Sequence, residues 1–290
     1  MIAHMKMKNI WEEYISVAAK GFVIGGTMLV PGVSGGSMAM ILGIYSSLIS
    51  AVSSFYQRKK DSFCFLFTFC IGAVIGMALL ANPISDLIDA FPKPMMYFFI
   101  GAVVGGIPMM FREAKIQSFS WKVPVYILLG MLMVCAISIL PLNSESIEQS
   151  NGIFELLLLF FAGIIAAIAL LLPGISISYL LLLLGLYSKT ITAIKTLQFS
   201  FLLPMALGGL VGIILMAKLL EKAMARYPQV TYLVILGFIL GSVVSIFPGL
   251  PTLSELLSCS IAICGGFAAI YFLPSSCPDD GPHTISEQHA

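Results

Sequence analysis

The chain has 290 residues, of which 59% are hydrophobic and 10% charged, and its net charge is +1. A soluble domain carries roughly 25% charged residues, so this composition excludes a water-soluble globule. The near-zero balance also excludes a basic field for nucleic acid and an acidic tail of consequence.

Residues 1–10 are expected to form a cytoplasmic N-terminus. Lys6 and Lys8 are followed by Trp11, Glu12 and Glu13, and no small-x-small site ends the first apolar run, so no cleaved leader is predicted. A first membrane repeat spans 11–141. It opens with an apolar helix over 12–30 that carries Lys20 about two turns in. A break at 31–36 follows, then a helix over about 37–54 and the loop Gln57-Arg-Lys-Lys-Asp61. Three spans come next, at about 63–81, 95–111 and 123–141. A polar turn with Asp86, Asp89 and Lys93 separates the first two, and a basic turn with Arg112, Lys115 and Lys122 the last two. The segment 142–152, with Glu145 and Glu148, reads as an external linker. A second repeat, 153–273, has helices at about 154–172 and 178–194 and spans at about 200–217, 230–247 and 256–273. The polar, Pro-rich tail 274–290 reads as a disordered cytoplasmic terminus.

The repeats are read from the residues themselves. Residues 31–52 run PGVSGGSMAMILGIYSSLISAV and residues 173–194 run PGISISYLLLLLGLYSKTITAI. At an offset of 142, Pro31, Gly32, Ser34, Gly43, Tyr45 and Ser46 fall on Pro173, Gly174, Ser176, Gly185, Tyr187 and Ser188. At an offset of 136, Gly72 and Gly76 fall on Gly208 and Gly212, Phe91-Pro92 on Tyr227-Pro228, and Gly101 and Gly105 on Gly237 and Gly241. These spaced glycines read as close-packing faces between membrane helices.

Each repeat crosses the bilayer an odd number of times, so the two are expected to be inverted relative to each other. With both termini inside, twelve of the fifteen Lys and Arg residues lie on inner segments, leaving only Lys93, Lys189 and Lys195 outside. The positive-inside bias favours that orientation. The same count fits spanning or re-entrant motif helices. Re-entrant hairpins are favoured, because broken backbone at membrane depth is tolerated where it is buried in protein or lines a cavity. The fold expected is an all-α integral membrane protein of two inverted-topology repeats, each a Pro-Gly-broken helix pair plus three transmembrane helices.

Matched breaks in two halves of a membrane protein are the sequence sign of a transporter-type binding site. After each Pro-Gly break a new helix starts, and its first N–H groups lack intrahelical partners. Ser34, Gly35, Gly36 and Ser37 offer N–H groups and two hydroxyls at the first tip. Ser176, Ile177 and Ser178 offer N–H groups at the second, with hydroxyls from Ser176 and Ser178. Two facing tips would bind an anion without a buried cation. The plainer reading is a pair of Pro-Gly kinks with Ser caps; the matched pair favours the site. Lys20 could neutralise an anion, although snorkelling to the inner interface is the favoured reading. Tyr45 and Tyr187 could donate hydroxyls to a ligand or sit at the membrane interface. Glu155 reads as an interfacial carboxylate.

No nucleotide-binding loop, HExxH or Cys/His cluster occurs, and His4, His283 and His289 lie in the terminal segments. The six cysteines form no CxxC pair. No metal, cofactor or enzymatic activity is predicted. A carrier, channel or scaffold remains.

The PGVSGGS…LGIY element paired with PGIS…LGLY resembles the prokaryotic undecaprenyl phosphate translocase family, formerly the domain of unknown function 368 family, over about residues 15–273. The resemblance implies a multi-pass plasma-membrane protein that moves undecaprenyl phosphate, or a related polyprenyl phosphate, from the outer to the cytoplasmic leaflet for cell-envelope synthesis. It implies membrane lipid and that phosphate as the partners, and a groove open to lipid. The implied substrate-binding residues are Pro31, Gly32, Val33, Ser34, Gly35, Gly36 and Ser37, with Pro173, Gly174, Ile175, Ser176 and Ser178. This chain departs from the family pattern at four places. Met28 stands where an Asp is frequent, Ser46 and Ser188 where acidic residues are frequent, and Ile177 where the second motif has Gly. If those carboxylates carry a coupling ion, this member lacks the carriers. The bulk of Ile177 makes the first tip the expected phosphate site. The alternatives are a secondary carrier or channel for a small anion, and a non-transporting scaffold.

Overall fold

A computed structural model describes residues 2–28, 30, 33–115, 121–139 and 152–272. The described residues form twelve helices. They are α1 (Ile2–Thr27), α2 (Gly35–Ile41), α3 (Tyr45–Ser53), α4 (Lys59–Ala90), α5 (Pro92–Glu113), α6 (Lys122–Ile139), α7 (Ile153–Leu171), α8 (Ile177–Leu183), α9 (Tyr187–Lys195), α10 (Phe199–Arg226), α11 (Pro228–Ile246) and α12 (Leu256–Tyr271). Helices α7–α12 repeat the order of α1–α6, with two seven-residue and two nine-residue helices at matching places.

Among the described residues, four helices are long and apolar enough to cross a bilayer: α4, α5, α7 and α10. The pair α2 and α3, bent by 116°, makes a fifth if taken as one span. Shorter apolar stretches lie in α6, α11 and α12. The external linker and the tail predicted at 142–152 and 274–290 lie, apart from Gly152, outside the described residues. Helix α1 begins at Ile2, so residues 2–10 extend the first helix instead of standing apart from it.

Helix α4 runs on to Ala90 through the polar turn predicted around Asp86 and Asp89. What stops it is the Phe91-Pro92 corner. A residue before proline is pushed out of the helical region, and Phe91 takes φ −136°, ψ 61° with Pro92 opening α5. Tyr227-Pro228 makes the same corner between α10 and α11, at φ −134°, ψ 58°.

Tight helix pairs set the architecture. Helix α1 lies on α4 and α7 on α10, within each half, whereas α5 lies on α12 and α6 on α11, across the halves. Each crossing is made by glycines. A Cβ on Gly76 would sit 2.0 Å from the Phe22 carbonyl oxygen, one on Gly208 1.9 Å from that of Phe160, one on Gly101 2.1 Å from that of Ile263, and one on Gly237 2.2 Å from that of Ile127. In lipid the solvent is as apolar as the side chains. Packing then depends on van der Waals contact between closely approached backbones, which these glycines permit. The core lies between the halves, where α2 and α11 pack against α5 and α3 packs against α10, and one buried cluster gathers Met40, Ile44, Ile49, Leu233 and Leu236.

Candidate functional site at the paired breaks

Helix α1 ends with Thr27 Oγ1 donating to the Ile24 carbonyl at 2.9 Å. Leu29, Pro31 and Gly32 lie outside the described residues. Ser34, extended at φ −94°, ψ 141°, then caps α2: its Oγ accepts the Ser37 N–H at 3.1 Å. The same Oγ accepts the N–H of Gly174 from the second break at 3.1 Å. It also lies 2.7 Å from Ser37 Oγ. The hydrogen count fixes the direction of that last bond. A hydroxyl has two lone pairs and one proton. Ser34 uses both lone pairs on N–H donors, so its proton goes to Ser37, and the Ser37 proton has no partner among the described residues. Ser37 is only 4% exposed.

The two breaks therefore meet. Gly36 faces Pro173, with room for a Cβ only 3.3 Å from the Pro173 Cα. Gly174 holds φ +88°, and a Cβ there would lie 2.4 Å from the Phe238 carbonyl oxygen, so no other residue fits without a shift. Pro173 and Ile175 are buried. Val33 donates its N–H to the Val30 carbonyl at 3.2 Å. The N–H groups of Gly35 and Gly36 have no partner among the described residues. That of Ser37, predicted as a free donor, is consumed by the Ser34 cap. At the second tip Ser176 and Ser178 are exposed, and Ile177 packs into apolar clusters with Ile175 and Leu159.

Several predicted roles change. Tyr45 is 3% exposed, and its hydroxyl donates to the Leu171 carbonyl at 2.7 Å, closing an orphan acceptor at the end of α7. It ties the halves together, and its proton is not offered to a ligand. Tyr187, its repeat mate, is exposed. Lys20 is 7% exposed, so it points into the protein instead of reaching outward to an aqueous face. Its place is about 10 Å along α1 before the break, at 1.5 Å per residue. The Met28 thioether lies over Gly35 at the start of α2, while Ser46 and Ser188 are exposed.

The helices leaving the tips are also shorter than predicted. Instead of one helix over 37–54, α2 stops at Ile41 and a second break intervenes. Gly43 at φ +66° closes it, with Ile44 N–H to the Ala39 carbonyl at 3.0 Å and Gly43 N–H to the Met40 carbonyl at 3.1 Å. This is the glycine-closed helix end that satisfies the last carbonyls. Gly185 at φ +68° repeats it, with Leu186 bonding to Leu181 and Gly185 to Leu182. The recurring Leu-Gly-x-Tyr was the available signal. Seven-residue helices carry little macrodipole, so the local N–H and O–H donors must do most of any anion binding.

A family model described as undecaprenyl phosphate translocase-like matches residues 24–262. A polyprenyl-phosphate transporter of Staphylococcus aureus is 33% identical over 243 residues, 80% of this chain and 86% of that protein. A polyprenyl-phosphate transporter of Vibrio cholerae is 30% identical over 257 residues, 83% of this chain and 80% of that protein. No solved structure matches. A membrane-helical chain with two joined Pro-Gly breaks, matched over four-fifths of its length, belongs to the undecaprenyl phosphate translocase-like family.

Proposed function

We propose that this protein carries undecaprenyl phosphate, or a related polyprenyl phosphate, from the outer to the cytoplasmic leaflet of a prokaryotic plasma membrane. It returns the lipid carrier to cell-envelope synthesis and performs no covalent chemistry. The observation that carries the reading is the hydrogen bond between Ser34 Oγ and Gly174 N–H, which joins the two breaks into one polar spot inside an apolar protein. A phosphate there meets the unused Ser37 proton and the N–H groups of Gly35 and Gly36, while its polyprenyl chain stays in lipid. Glycine allows that close approach. In this reading Ser37 is the ligand donor and Ser34 holds the two tips together. The repeats are inverted, the breaks are tips of re-entrant hairpins entering from opposite faces, and both termini are cytoplasmic.

The test is surface exposure of undecaprenyl phosphate, read with an impermeant phosphate-head ligand, in cells lacking the protein and in cells carrying Ser37→Ala. Outer-leaflet lipid should accumulate on deletion and stay high with Ser37→Ala. Unchanged exposure on deletion, in a strain with no second translocase, would sink the substrate. The small-anion carrier would then take its place.

A further inference from the structure

The repeat equivalences hold in sequence, yet the halves do not pack alike. Helix α3 lies against α10, whereas its mate α9 makes no comparable packing on α4. Burial at matched positions reports the same difference. Ile49 is 1% exposed and its mate Ile191 38%; Tyr45 is 3% exposed and Tyr187 39%. Val52 packs against the core, and Ile194 is exposed. On the other side, Ala217 and Leu220 are buried, while their mates Ala81 and Ile84 are half-exposed.

The unused surfaces remain apolar in the same places. Ile191 and Ile194 repeat Ile49 and Val52, and Leu80, Ala81, Ile84 and Ile88 repeat Met216, Ala217, Leu220 and Met224. Their polar ends complement each other too. Where α3 meets α10, Ser53 Oγ donates to Glu221 Oε2. The mates are Lys195 at the end of α9 and Ser85 on α4, with Asp86 beside Ser85 and Asp89 one turn on along the same stripe. Lys195, Asp86 and Asp89 are exposed, and no salt bridge joins them in this state.

We propose that α9 and α4 form a second gate, closed by Ile191 and Ile194 on Ala81 and Ile84 and by Lys195 on Asp86 and Asp89. It closes when the α3–α10 gate, held by Ser53 and Glu221, opens. The proposal rests on the inverted-repeat translocation reading above. The Ser53–Glu221 gate then lies on the inner face, beside Arg58, Lys59, Lys60, Lys218 and Lys222, and the Lys195 gate on the outer face. The structure is the state closed inside and open outside. Inward delivery of a phosphate at the tips requires the two gates to exchange.

The test replaces Cys64, Cys70, Cys135, Cys259, Cys264 and Cys277 by Ala or Ser and introduces two cysteine pairs, Ser53→Cys with Glu221→Cys and Ile84→Cys with Ile194→Cys. Oxidative cross-linking in membranes is read by gel mobility. Each pair should cross-link alone, the two bonds should exclude each other in the four-cysteine protein, and either bond should stop transport until reduced. Both bonds in one molecule, or no 84–194 bond in a protein that transports, overturns the gate. A second arm changes charge only. Lys195→Asp should lower the 84–194 yield about two- to fivefold, and adding Asp89→Lys should restore it; equal yields in all three backgrounds overturn the pairing. Mutually exclusive bonds whose proportions ignore added short-chain polyprenyl phosphate would keep the gate and remove the substrate reading.

Discussion

Ser34→Ala separates the two serines of the first tip by energy. The substitution removes the cap of α2, worth about 1 kcal/mol. It also strips the Gly174 N–H of its acceptor at the junction of the halves, which costs about 1–3 kcal/mol. The sum is about 2–4 kcal/mol, concentrated on the contact that joins the breaks. Ser37→Ala loses a single neutral hydrogen bond and leaves the cap and the Gly174 contact in place, for about 1 kcal/mol. Denaturant unfolding of the purified protein in detergent reads both values, and Ser34→Thr, which keeps a hydroxyl, should recover most of the loss. Ligand binding should order the variants differently. Ser37→Ala removes a donor to a charged phosphate, so affinity for a short-chain polyprenyl phosphate should fall about tenfold or more. Equal stability losses for the two alanine variants, or a Ser34→Ala protein within about 0.5 kcal/mol of the parent, would refute this division of labour.

Gly174→Ala should be among the most damaging small changes, at about 3 kcal/mol or more, because left-handed backbone strain adds to a Cβ driven into the Phe238 carbonyl. Folded yield after membrane extraction measures it, and a normal yield would contradict the packing. Tyr45→Phe leaves the Leu171 carbonyl without its partner and should cost about 1–2 kcal/mol, with transport kept within about twofold; loss of transport at unchanged stability would instead give the hydroxyl to the ligand. Glu255 accepts Lys93 Nζ at 2.7 Å, the Thr252 N–H at 3.0 Å and the Thr252 hydroxyl at 2.8 Å. The side-chain hydrogen bond from Lys93, then those from Thr252, hold its carboxyl down at about 2, from an ordinary 4.5. A depressed carboxyl stabilises the fold above the ordinary value and loses that contribution as pH falls toward about 2. Carboxyl-carbon NMR should show Glu255 titrating well below 4.5 in the parent and moving up toward, while staying below, that value in Lys93→Ala, where the Thr252 bonds remain. A parent midpoint at 4.5 would remove the tie.

The repeats were legible because the residues that build them are few and chemically exacting. Pro, Gly and Ser at the breaks, and spaced glycines at the crossings, have no apolar substitute, so they stand out against a background of leucine and isoleucine. The glycine pairs Gly72/Gly76 and Gly208/Gly212 do pack α4 on α1 and α10 on α7. The second break at Gly43 and Gly185 was hidden for the opposite reason. Leu-Gly-x-Tyr continues the apolar run on both sides, and one glycine in a membrane helix is common enough to pass as a packing residue. The polar turn at Asp86 and Asp89 was misread because charge marks the water boundary, whereas the helix ends only at the Phe91-Pro92 corner. Ser53 with Glu221, and Tyr45 with Leu171, could not be found by pattern. Those partners lie more than a hundred residues apart, and each polar atom simply takes the partner that the packing of the two halves supplies.

The crossed pairing of the last helices bears on how the chain is made. Helices α5 and α6 leave the ribosome long before α12 and α11, the surfaces that cover their glycine faces. At about 5–20 residues per second, the 132 positions between Ile139 and Tyr271 take on the order of 10 s to synthesise. For that time the glycine faces of α5 and α6 are turned to lipid or held by an insertion factor. The first half therefore cannot mature alone. The two halves close around each other as a clasp, and a chain stopped before Leu256 would have every helix of its first repeat and still lack the piece that locks α5 in place.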